Sequence, residues 1–172
     1  RIWKHNRNRP RQKRHLRLQQ LRMNTTQIFR LLSRRCRGLL LGIFPADMLP
    51  RRLPRRRPLL LVCNTDPSYK PGEHWVVMYL GASGTAEYFD SFGMEPNPIF
   101  RQFLTRHCAS YIRNREQLQS AISRFCGHYC AFYCLFKRLN YTMNDILNCF
   151  SNDTSLNDLV VHEFVCDYLW FK

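Results

Sequence analysis

No run of eighteen apolar residues occurs anywhere in the 172-residue chain, so the sequence offers no membrane-spanning helix. Its first twenty residues also lack the apolar stretch of a secretory signal peptide. Acidic residues are nearly missing from the front. Residues 1–57 hold one of the 12 acids, Asp47, against 18 of the 27 Lys+Arg, a charge of +17, whereas residues 58–172 carry −2. The total of +15 therefore belongs to the front end. Eight cysteines are scattered without the spacing of a small disulfide scaffold, which fits free thiols in a reducing, intracellular setting. Metal knuckles are missing too. Cys126, Cys130 and Cys134 recur every fourth residue, but no distant second pair completes a zinc set, so no metal is expected.

What remains is the composition of one compact domain, 45% hydrophobic and 13% aromatic, with no room for a second full domain. Arg1 to Arg22 has almost no apolar periodicity and reads as a solvated, disordered basic arm. Two accounts of it stand. The arm binds nucleic acid, or residues 1–22 are a gene-model extension and translation begins at Met23, where Met23-Asn24-Thr25-Thr26 supplies a start and an N-cap for a short helix, Ile28 to Leu32. The domain proper is then 23–172, with a core of about 58–166.

Three prolines in Leu49 to Pro58 make that stretch a loop. Leu59 to Cys63 is a short continuous apolar run, expected as a buried strand. His74 to Leu80 and Thr85 to Phe92 read as an antiparallel hairpin around the turn Gly81-Ala82-Ser83-Gly84. Pro98 to Arg106 reads as a helix, Cys108 to Ile112 as a strand, and Gln117 to Arg124 as a loop. Cys126 to Leu139 is apolar around nearly its whole circumference and is expected as a buried helix, with Lys137 and Arg138 serving its C-terminal dipole. Asn144 to Phe150 and Leu156 to Leu169 are two further helices. The fold class is α+β, a small mixed β-sheet packed against a central helix that carries a cysteine at its N-terminus.

Cys126 opens that helix, and a thiol in this position is pushed toward thiolate by the bare N–H groups and the positive end of the macrodipole. The hairpin brings His74 and Asp90 to one end of the sheet, where Asp90 can orient the imidazole. Gln119, seven residues before Cys126, offers an amide to an oxyanion. Trp75 is either core or a cation–π partner for His74. His107, His128 and His162 have no acid-and-thiol setting and read as packing or surface residues.

The order His74, Asp90, Gln119, Cys126 resembles the adenovirus protease (adenain) family and its relatives in Maverick/Polinton elements and adintoviruses, in the clan that also holds the SUMO proteases. Glu73-His74-Trp75, Glu87-Tyr88-Phe89-Asp90-Ser91-Phe92-Gly93, Gln119 with Cys126-Gly127, Gly42 to Pro50 and Val62 to Asp66 carry the likeness, which covers about residues 24 to 166. The resemblance implies a cysteine endopeptidase that cleaves virion or transposon precursor proteins, with His74 as base, Asp90 as its partner, Gln119 as oxyanion donor and Cys126 as nucleophile. It also implies DNA as a cofactor, held by Lys and Arg of residues 1–57. Cys108, eleven residues before Gln119, stands where adenoviral relatives bond an activating peptide through a disulfide. A monomer working in the nucleus or virion is the further expectation. Two departures stand out: Asp90 where many relatives have Glu, and Phe125 where SUMO proteases carry Asp. The alternatives are a deconjugase of SUMO or a ubiquitin-like modifier, and an inactive transposon remnant that binds nucleic acid through its basic front.

Overall fold

In the computed structural model, which describes residues 22–170 and side chains from 22 to 167, the apolar run after Pro58 forms a strand with all six positions buried (β2, Leu59–Asn64). A strand buried on both faces must be central, and β2 pairs on both edges. One neighbour, β1 (Leu40–Pro45), runs parallel to it, while the other, β3 (Trp75–Leu80), runs antiparallel. The hairpin partner β4 (Thr85–Phe89) follows, and β5 (Ser110–Arg113) closes the far edge in parallel. The five-stranded mixed sheet therefore keeps chain order, β1-β2-β3-β4-β5.

Parallel neighbours need crossovers, and these set which face each helix covers. Between β4 and β5 the chain forms α2 (Pro98–His107), which packs Phe100, Phe103 and Leu104 on one face, against Leu59, Leu61, Val76 and Met78. The opposite face carries the larger core. There α1 (Thr25–Arg35), α3 (Cys126–Arg138), α4 (Met143–Leu147) and α5 (Thr154–Trp170) pack over Leu60, Val62, Val77 and Phe89. The expected α+β architecture, a mixed sheet with a central helix on it, is the architecture found.

Local chemistry explains the helix limits. Asn24 and Gln27 form a reciprocal capping box, so α1 starts earlier and runs longer than the apolar stretch Ile28 to Leu32 indicates. Met23, just outside it, is buried. Residues 1–21 of the basic arm lie outside the described residues.

Lys137 stands with Arg138 in the last turn of α3, where the dipole favours a cation, and it does more than the sequence indicates. It is 6% exposed, and its Nζ lies 3.0 Å from Glu87 on β4 and 4.2 Å from the Tyr79 ring centroid. Tyr133, one turn earlier on α3, donates its hydroxyl to the same carboxylate, and its ring stacks on Phe89 at 4.3 Å. A long cation on a helix packed flat against a sheet can reach across to the strand, and desolvation makes the pairing obligatory. These contacts fix the register of α3 against the strand that leads to Asp90.

Candidate active site

Helix α3 starts at Cys126, which is 4% exposed. No side chain caps this terminus and no acid lies in its first turn, so the positive end of the dipole stands uncompensated at the thiol. Gly127 lets the N-terminal segment close over the tip: a Cβ there would sit 2.9 Å from Met23 Cβ and 3.3 Å from Ile28 Cδ1. Cys130 and Cys134, on later turns, are fully enclosed, and burial pushes both thiols well above the usual range. Among the described residues no three His, Cys, Asp or Glu side chains converge as metal ligands, and no disulfide forms.

His74 sits just before β3, where its carbonyl accepts the Thr65 N–H at 2.9 Å. The antiparallel register, Val77 opposite Phe89, brings it to the same end of the hairpin as Asp90. Its Nε2 lies 2.8 Å from Asp90 Oδ1. Burial works against the charged ring, but the hydrogen bonds and charges of Asp90 and Cys126 outweigh it and raise the His74 pKa to about 9. The Cys126 sulfur thus stands beside the imidazole, although Nδ1, buried, makes no hydrogen bond of regular geometry among the described residues.

Asp90, 2% exposed, is held from three directions. Its Oδ1 also accepts the Phe92 N–H at 2.8 Å, while Asn114 accepts its backbone N–H at 2.9 Å and donates to its carbonyl at 2.6 Å. The aromatic neighbour of the imidazole is Phe92, with ring centroids 5.0 Å apart, not Trp75. Trp75 turns into the core shared with α3, because it begins the strand proper and follows its alternation.

Gln119 is 1% exposed and lies in the loop between β5 and α3. Its amide is anchored at both ends, Oε1 accepting from Ser91 Oγ at 2.7 Å and Nε2 donating to the Ser123 carbonyl at 3.1 Å. From beneath, Asn157 donates to the Leu118 carbonyl at 3.1 Å, and the Tyr129 hydroxyl shares its one proton between that carbonyl and Asp158 Oδ1, each 3.0 Å away. A cleft of about 400 Å³ opens above, lined by His74, Gln119 and Cys126 together with Arg22, Glu73, Phe92 and Arg124. The structure thus brings His74, Asp90, Gln119 and Cys126 to one place.

Cys108 is elsewhere. It is the half-buried C-cap of α2, not the first residue of a strand, since its N–H still closes the last helical turn on Leu104 at 2.9 Å. Sequence reasoning left Asn114 and Asp158 without a role and quoted Ser91 and Phe92 only as part of a motif. Asn114 is buried directly after the last residue of β5, a signal visible only once the sheet order is known. His128 and His162 pack with Phe125, their own rings 5.4 Å apart, and do not line the cleft.

No protein-family model and no curated protein sequence matches the chain. Among solved structures it is similar to the ASFV pS273R protease, at 23% identity and a TM-score of 0.48, over 61% of this chain and 43% of that one. It is also similar to ChlaDub1 from Chlamydia trachomatis, at 14% identity and a TM-score of 0.48, over 64% and 58% of the two chains. A third is the SUMO protease Ulp1 with its catalytic cysteine oxidised to a sulfinic acid, at 14% identity and a TM-score of 0.38, over 65% and 54%. In all three the match spans less than two thirds of the other chain.

Proposed function

We propose that the chain is a cysteine endopeptidase of adenain type, in which Cys126, His74, Asp90 and Gln119 carry the reaction. The observation that carries this reading is the placement of one imidazole between Asp90, at 2.8 Å, and the thiol at the uncapped tip of a buried helix, in a cleft that Gln119 also lines. His74 already carries the proton as imidazolium, and the Cys126 sulfur adds as thiolate to the scissile carbonyl carbon. Negative charge gathers on the carbonyl oxygen, within reach of the Cys126 N–H and the Gln119 amide. His74 passes its proton to the departing amine as the C–N bond breaks, leaving a thioester on Cys126. Water then adds with His74 as base, and the acid product leaves with the thiol restored. Asp90 keeps its charge throughout and holds the ring in one orientation.

On the resemblance, the substrates are precursor proteins of a virion or transposon. Two partners are proposed with them. DNA would lie along the basic front, where Arg51, Arg52, Arg55 and Arg56 are exposed on one loop. An activating peptide would bond to the half-exposed Cys108, whose thiol burial pushes up and neighbouring Arg57 draws down. Cleavage of a quenched peptide library by residues 23–172 tests the reading. Hydrolysis by wild type that vanishes in both Cys126→Ala and His74→Ala supports it, and hydrolysis that survives either substitution contradicts it.

A further inference from the structure

We infer that Ser91 is the positioning residue that fixes the Gln119 amide with its N–H end available to the cleft. This inference rests on the peptidase reading above.

An amide side chain has a donor end and an acceptor end that differ little in shape, so its orientation follows from its partners. At one end stands the Ser123 carbonyl, 3.1 Å away, which can only accept; that end must be Nε2. At the other stands Ser91 Oγ, 2.7 Å away, whose hydroxyl donates to Oε1. Ser91 and Gln119 are each 1% exposed, so water does not compete for either group. Nε2 carries two protons. The Ser123 carbonyl takes one, and among the described residues no acceptor takes the second. That proton remains for an oxyanion in the cleft that Gln119 lines with Cys126.

Without the Ser91 hydroxyl, Oε1 loses its buried donor, and only the Ser123 carbonyl still holds the amide, by its other end. An amide held at one end swings about that contact, and its second N–H no longer keeps one place for the developing negative charge. The Ser91 backbone has a separate task. Its carbonyl accepts the N–H groups of Leu118 and Gln119 at 2.8 and 3.0 Å, so the loop stays tied to the residue that follows Asp90 even when the side chain is changed. Ser91→Ala therefore isolates the hydroxyl, and Ser91→Thr restores it.

The test compares wild type, Ser91→Ala, Ser91→Thr, Gln119→Ala and Ser91→Ala/Gln119→Ala on one cleavable peptide, with NMR of the Gln119 side-chain amide, identified by its loss in Gln119→Ala. Removing a donor of this kind lowers turnover about 10²- to 10³-fold, and Ser91→Ala should cost about 10-fold or more in kcat with KM nearly unchanged. Ser91→Thr should recover most of it, and the double substitution should be no slower than Gln119→Ala alone. The Gln119 amide protons should shift and exchange faster with solvent in Ser91→Ala. An active enzyme whose kcat and Gln119 amide signals are unmoved by Ser91→Ala overturns the inference and leaves the peptidase reading standing. A wild type without peptidase activity overturns that reading and the kinetic half of the inference together, and the amide signals then decide whether Ser91 holds Gln119 at all.

Discussion

Nε2 of His74 lies 2.8 Å from Oδ1 of Asp90, and the same carboxylate oxygen accepts the Phe92 N–H at 2.8 Å. One oxygen therefore ties the imidazole to the turn that follows β4. The acid cannot swing away from the ring without breaking a backbone contact of its own.

This tie has a pH signature. Because the folded-state pKa of His74 is raised from 6.5 to about 9, its proton contributes stability that is fully present below pH 6.5 and is lost as pH rises to about 9. The unfolding free energy of wild type from urea titration should fall across that window, by an amount on the order of 1–3 kcal/mol. In His74→Ala this part of the slope should be missing. A wild-type slope identical to that of His74→Ala would show that the ring is not held charged.

Lys137 and Glu87 should behave as a buried pair. Lys137→Ala leaves the Glu87 carboxylate without its cation between α3 and β4, and breaking such pairs costs roughly 3–5 kcal/mol. Replacing both by apolar residues of similar volume, Lys137→Met with Glu87→Leu, removes the uncompensated charge and should recover much of that loss. Denaturant unfolding of the three variants measures it. A Lys137→Ala chain as stable as wild type would contradict the clamp.

Gly93 holds the turn after Asp90 at a φ of +67°, and a Cβ there would meet the Arg115 and Glu116 carbonyl oxygens at 2.6 and 2.7 Å. Backbone oxygens cannot step aside as a flexible side chain does. Gly93→Ala should therefore cost roughly 2–4 kcal/mol from left-handed strain and overpacking together, read as a lower melting temperature. It should also lower peptidase activity, since the Gly93 N–H bonds the Asp90 carbonyl at 2.8 Å.

Much of the site was legible because its chemistry is written in local signals. The apolar circumference of Cys126 to Leu139 announces a buried helix, and a paired hairpin with two turn glycines brings His74 and Asp90 together. What the local pattern does not carry is which strands are neighbours. β1, with Gly42 and Pro45 interrupting its apolar run, becomes a strand only through its parallel pairing with β2, and Asn114 gains its role only because β5 lies beside β4. Lys137 was half legible for a related reason: its place in the last turn of a helix suits the dipole, and only tertiary packing reveals the acid beneath it.

The basic front end makes a prediction about partners. If Lys and Arg of residues 1–57 contact phosphates, duplex affinity should fall with salt at a log–log slope of about −0.9 per phosphate neutralised. Comparing the full chain with residues 23–172 separates the arm from the loop that bears Arg51 to Arg56. An unchanged slope on removing residues 1–22 assigns binding to the loop, and no salt-sensitive binding in either chain rejects the nucleic-acid partner.

The most direct measurement is labelling of Cys126 by a thiol-reactive active-site probe, followed by mass spectrometry to locate the modified residue. With eight cysteines present, selectivity is the informative quantity. The account predicts that Cys126 is modified first at neutral pH, that His74→Ala slows this modification by at least about 10²-fold, the low end of what a positioned acid–base group contributes, and that Cys126→Ala abolishes the fast phase. Equal labelling rates in wild type and His74→Ala, or fast labelling that falls on the exposed Cys149 instead, would contradict it.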